Sequence, residues 1–166
     1  MREAILVINE LKEKGLIKDY AIGGGIATLF YTEPFLTYDL DIFILTETTS
    51  TQAIIDLSPI FEYLKKKGYY WKGEHILIEG VPVQFIYADE LEKEAVEKAR
   101  IAEYEGVKTK VIAPEYLIAI LLRAGRKKDI EKVEKLLQEA EIDKEELRKI
   151  LDKFGLRERF KSYERG

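Results

Sequence analysis

The stretch "AIGGGIATLFYTEPFLTYDLDIFIL", Ala21 to Leu45, decides how this chain is read. Three consecutive glycines close a short apolar run and open a small helical pattern. A loop containing Pro34 follows, and "DLDIFIL" then carries two carboxylates into a run rich in β-branched and aromatic residues. That run reads as a strand. Residues two apart on a strand face the same way, so Asp39 and Asp41 point together while Leu40, Ile42 and Ile44 point into the core. Paired carboxylates repel unless a cation or a shared proton relieves them. An oxygen-only ligand set favours Mg²⁺ or Mn²⁺, and Mg²⁺ commonly joins one or two carboxylates to substrate phosphates. Gly24 and Gly25 lie at a strand-to-helix turn, where free backbone N–H groups and the helix dipole favour an anion. A glycine turn for phosphates beside an acid pair for a metal fits a nucleoside triphosphate with its cation.

The flanking sequence places this stretch in an α/β chain. Residues 2 to 14 show Ala4, Ile5, Ile8 and Leu11 at helical spacing, closed by Gly15, and "DYAIG" is a strand. Beyond the acid strand, residues 49 to 68 read as helix, with Ser58 and Pro59 suited to cap a second segment. "YYWKG", "HILIEG" and "VPVQFIY" read as a meander with a tight turn at Glu79-Gly80. Asp89 begins the next helix, and a hairpin turns at Gly106. From Pro114 to about Phe160 the pattern is helical, with Asp143 as an N-cap. The expectation is an α/β (α+β) mixed sheet flanked by helices over residues 1–112, with a C-terminal helical region, 113–166, packed on it.

Composition narrows the function. With 166 residues, 46% of them hydrophobic, the chain can bury a sizeable core. Charged residues reach 35%, mainly Lys and Glu, a mixture expected of a thermophilic source. The absence of Cys excludes disulfides, thiolate metal sites and a Cys nucleophile. The N-terminal residues lack a signal-peptide core, and no apolar run approaches the ~18 residues of a membrane span, so a cytoplasmic protein without membrane contact is expected. A net charge of −4 argues against general nucleic-acid binding.

"GGIA", Gly24 to Ala27, followed by "TYDLDIFI", Thr37 to Ile44, resembles the signature of the nucleotidyltransferase superfamily related to DNA polymerase β. Within it the likeness is to the AbiEii-toxin-like and minimal nucleotidyltransferase group, and the tail "PEYLIAILLRAGRKKDIEKVEKLL" shares that group's pattern. The resemblance runs from about Gly24 to Leu137. It implies a nucleotidyltransferase-like fold, with Gly24, Gly25 and Thr37 in the nucleotide-binding set and Asp39 and Asp41 binding Mg²⁺ or Mn²⁺. It further implies attack of an acceptor hydroxyl, on a transfer RNA, other RNA or protein, upon the α-phosphate, and a toxin–antitoxin-type partner. The family's third carboxylate falls at Gln84, which has no charge and cannot act as a base. Two readings follow, a working transferase and a module that binds the metal-nucleotide without turnover. Asp89, Glu90, Glu79 and Glu74 are the acids near enough to substitute, and Asp89 reads first as a helix cap.

Other residues complete the set. "RAGRKKD", Arg123 to Asp129, concentrates positive charge between two helices, and Arg126, Lys127 and Lys128 are candidates to meet the triphosphate. Equally, they are what a solvated helix end would carry. His75, the only histidine, reads as an ordinary structural or surface residue. Tyr69, Tyr70 and Trp71 read as edge or core packing.

Overall fold

A computed structural model of the protein describes residues 1–47 and 57–164. The first half of the expected helix over residues 49 to 68 lies outside the described residues. The described chain runs α1 (Arg2–Glu13), β1 (Asp19–Gly23), α2 (Gly24–Leu29), β2 (Leu40–Leu45), α3 (Ser58–Lys66), β3 (Tyr70–Lys72), β4 (His75–Ile78), β5 (Val81–Tyr87) and α4 (Glu90–Glu97). It continues through β6 (Arg100–Tyr104), β7 (Val107–Val111), α5 (Pro114–Ala124), α6 (Lys127–Glu139), α7 (Lys144–Lys153) and α8 (Arg157–Phe160) to a 3₁₀ turn, Lys161–Tyr163.

The strands form one mixed sheet in the order β3-β4-β5-β2-β1-β7-β6. β2 is antiparallel to β1 and parallel to β5, and the hairpins β4–β5 and β6–β7 flank this centre. Both hairpins turn through a Glu-Gly pair with left-handed backbone at each residue, Glu79 (φ 49°)–Gly80 (φ 78°) and Glu105 (φ 46°)–Gly106 (φ 82°). Two successive residues with positive φ are what a type I′ turn requires to match strand twist.

β2 is buried on both faces except at Asp41, since Phe43 and Leu45 on the Asp41 face are also in the core. Leu40, Ile42 and Ile44 are each 0% exposed, as their spacing requires, whereas Asp41 between them keeps partial access to solvent. α2 and α4 pack against β1 and β2, and α1 packs against β7. α5 ties the helical region to this layer. Pro114 through Leu122 are buried without interruption, because the helix contacts α2 and α4 as well as α6 and α7. A helix apolar on all sides is stable only when surrounded. Gly125, at φ 68°, ends α5 in the left-handed conformation and lets α6 start.

One expected cap is shifted. α3 begins at Ser58 itself, with Leu57 in the cap position and Pro59 in its first turn. The other caps stand as read: Asp89 accepts the Glu92 N–H at 3.0 Å in a reciprocal capping box, and Asp143 accepts the Glu146 N–H at 3.1 Å.

Candidate active site

The site begins where β1 stops. Gly23 pairs with Asp41 across the β1–β2 ladder, and Asp41 pairs with Gln84 across β2–β5. Partners on adjacent strands share a face, about 5 Å apart at Cβ. Register therefore stands the Gln84 amide beside Asp41.

The glycines are demanded by what they touch. Gly24 has φ 60°, and a Cβ there would lie 2.3 Å from Asp41 Oδ2. A Cβ on Gly25 would lie 2.5 Å from Thr37 Oγ1 and 3.3 Å from Lys132 Cε. Any side chain at either position would meet a site residue. The loop and the strand start of the Thr-x-Asp-x-Asp motif thus close directly onto the glycine turn. α2, however, is only six residues long. So short a helix carries little macrodipole, and positive charge must come from elsewhere.

It comes from α6. Arg126 and Lys128 both act electrostatically on Asp41, as the sequence reading of "RAGRKKD" allowed. Arg126 is also committed locally, its Nε donating to Asp129 Oδ2 at 2.7 Å. Sequence reasoning missed Lys132, whose stem lies on Gly25 and whose Nζ donates to the Lys128 carbonyl at 3.2 Å. Burial above all holds its ammonium below the ordinary lysine value; Asp129 opposes the shift, and Lys128 and Arg126 add to it. The one available signal was spacing, since Lys128 and Lys132 stand four apart on one helix face.

The acid pair is electrostatically uneven. Asp41 is held above the usual carboxylate range, chiefly by burial and next by the charge of Asp39; His75, Lys128 and Arg126 pull the other way. Asp39 is exposed and stands just before β2. Its Oδ2 lies 3.7 Å from His75 Nε2. Register carries β4 alongside β5 and brings the imidazole close to Asp39.

Two of the acids named as substitutes are engaged elsewhere. Asp89 caps α4 and pairs with Arg123 at 2.8 Å, and Glu79 accepts the Tyr69 hydroxyl at 2.8 Å. Among the described residues no three His, Asp or Glu side chains are gathered about one point where a metal ion would sit. Two acids with coupled charges, one of them desolvated, do fit a single divalent ion brought in by a phosphate ligand. Cavities of about 340 Å³ among α6, α7 and the chain end, and about 360 Å³ between α3 and β3, lie away from this chemistry. Trp71 lines the latter and packs edge-on against Phe61 at 4.7 Å, and Tyr70 and Trp71 sit on the outermost strand, in line with an edge-packing role.

No family model and no curated protein sequence matches the chain. Solved structures do. An antigenic nucleotidyltransferase-like protein from Paracoccidioides brasiliensis superposes with a TM-score of 0.54 at 18% identity, over 82% of this chain and 76% of that one. The antibiotic-resistance factor ANT(2'')-Ia superposes with a TM-score of 0.54 at 15% identity, over 97% of this chain and 93% of that one. The chain has the nucleotidyltransferase fold. The likeness is to that fold as a whole and does not single out the AbiEii-toxin-like group. Among the described residues, no helix is long and apolar enough to cross a membrane.

Proposed function

We propose that this chain binds a nucleoside triphosphate with a divalent cation and transfers the nucleoside monophosphate to an acceptor hydroxyl. The observation that carries this reading is the contact of Asp41 with Gly24, which joins the acid pair and the glycine turn into one site. In it the Gly24–Gly25 backbone meets the phosphates, with Thr37 packed against Gly25. Lys132, Lys128 and Arg126 supply the charge that the short α2 cannot. Asp39 and Asp41 would hold the cation, Mg²⁺ or Mn²⁺. A cation so held neutralises charge on the phosphates and on the leaving group.

In the transfer the acceptor oxygen forms a bond to the α-phosphorus, the bond to the bridging oxygen breaks, and pyrophosphate leaves. The hydroxyl proton passes to water. Catalysis of this kind is positioning and charge stabilisation, which suits a site built from backbone, cations and two acids. An RNA end or a protein hydroxyl is the acceptor class implied by the sequence resemblance.

A second reading rests on Gln84 beside Asp41: the site binds the metal-nucleotide and has lost turnover, acting as a sensor or as a partner protein. Transfer of α-labelled nucleoside triphosphates with Mg²⁺ or Mn²⁺ to total RNA and to a protein lysate separates the two. Label transfer that Asp39→Asn/Asp41→Asn abolishes supports the transferase and identifies its acceptor class. Metal-dependent nucleotide binding without transfer supports the module instead.

A further inference from the structure

Away from the glycine turn, the C-terminal helices leave a cavity of about 340 Å³. That volume is at the small end of the range that ligand sites occupy. At roughly 30 Å³ per water-sized group it has room for about ten non-hydrogen atoms. One face of α7 supplies Lys144, Leu147, Arg148 and Leu151, whose spacing brings them to the cavity on successive turns. Leu147 and Leu151 are buried and Lys144 and Arg148 are exposed, so the leucines form its floor and the cations its mouth. Leu137 and Ala140 close it from the end of α6. Phe160 and Tyr163, with ring centres 5.6 Å apart, wall it from the other side.

The charges around the mouth do not cancel. Arg157 is engaged by Asp152 at 3.1 Å and by Glu164 at 3.5 Å, and Glu164 is the one acid in the lining. Lys144 and Arg148 have no carboxylate within salt-bridge distance among the described residues. Glu145 and Glu146, on the same helix, are not part of the lining. We propose that this cavity binds a small amphipathic carboxylate, an aliphatic or aryl acid, with its apolar part on Leu147, Leu151 and the two rings and its carboxylate at Arg148 and Lys144. A guanidinium can take a carboxylate through two parallel hydrogen bonds, and the neighbouring ammonium adds a point charge. The apolar floor accounts for the tail, since a free inorganic anion would leave it unfilled. The proposal stands apart from the nucleotide reading, which uses none of these residues.

Calorimetric titration of the full chain with octanoate, octanol and octylammonium, all below their micelle concentrations, tests this. The three probes share a tail and differ in the charge of the head. The expected result is saturable one-to-one binding of octanoate, with octanol and octylammonium at least about tenfold weaker, the loss that one charge-assisted hydrogen bond carries. Arg148→Gln, an exposed position, is expected to weaken octanoate by about tenfold, and Ala140→Phe, which fills the cavity, to abolish its binding. ATP at saturation is expected to leave the octanoate isotherm unchanged. Octanoate that does not bind, that binds no better than octylammonium, or that Arg148→Gln holds as well as the wild type overturns the proposal. Octanoate displaced by ATP overturns it too, because that would place the acid at the phosphate side of the nucleotide site. The series of probes on the wild-type chain decides the question even where Ala140→Phe folds poorly.

Discussion

Asp41 combines two pressures that oppose each other. Burial and the neighbouring charge of Asp39 raise its pKa, so the folded protein binds that proton more tightly than the unfolded chain does. The stability contributed by the protonated form is full below the ordinary carboxylate range and is lost as pH rises through the raised folded value. At neutral pH the ionised side chain opposes folding. Asp41→Asn is therefore expected to raise Tm at pH 7, to change it little near pH 3, and to abolish cation uptake; melts at the two pH values with Mn²⁺ titration check this. Added Mn²⁺ is expected to raise the Tm of the wild type and leave that of Asp41→Asn unmoved. Gly24 answers to geometry. Gly24→Ala forces a left-handed non-glycine residue, worth about 1–3 kcal/mol, and drives a methyl into Asp41. Urea unfolding is expected to show at least that loss, together with loss of nucleotide binding.

Two elements frame the site, and their roles separate by mutation. α4 is fixed by the Asp89–Glu92 capping box, with Arg123 of α5 reaching both acids at 2.8 Å. Asp89→Ala is expected to lower stability by about 1 kcal/mol, the usual value of such a cap, while nucleotide affinity stays at the wild-type level. A drop in affinity instead would recruit Asp89 to the site. α6 carries the opposite pattern. Its Lys132 is held in a desolvated position over the glycine turn, with no carboxylate among the described residues hydrogen-bonded to it. Lys132→Ala is expected to weaken nucleotide binding about tenfold, in the range of one charge-assisted hydrogen bond, at no cost in Tm. Equilibrium binding of a labelled nucleotide beside a thermal melt measures both.

At the scale of the molecule, α5 makes the sheet and the helical region interdependent. Leu117 is 0% exposed on a helix that touches α2 and α4 on one side and α6 and α7 on the other. Leu117→Ala is expected to destabilise by about 2–5 kcal/mol, as truncation in a packed core does. Fluorescence of Trp71, the only tryptophan, reports the sheet edge, and far-ultraviolet circular dichroism reports the helices. The two transitions are expected to coincide in wild type and variant alike, the behaviour of one cooperative unit. A separate early loss of helix signal would make residues 113–166 an independently unfolding part. The same docking positions α6 over the glycine turn, so the phosphate side of the site depends on a helix about a hundred residues downstream of it.

The sequence by itself determined what depends on short range. The apolar run of β2 was legible as a buried strand, and glycine spacing fixed the turn before α2. Asp89 and Asp143 were legible as caps because a cap is chemistry between residues three apart. The tight turns at Glu79-Gly80 and Gly106 were legible for the same reason. The motif pair around Gly24 and Asp41 was legible as a pattern, and the tertiary structure brings its halves into contact. Only the tertiary structure decided which further side chains join it. His75 reaches Asp39 through the order β4-β5-β2, and strand order is set by burial of whole sheet faces, which no local pattern encodes. Lys132 reaches Gly25 through the docking of α6 on α5 and α2, set by packing of apolar stripes whose polar faces carry no address of their own.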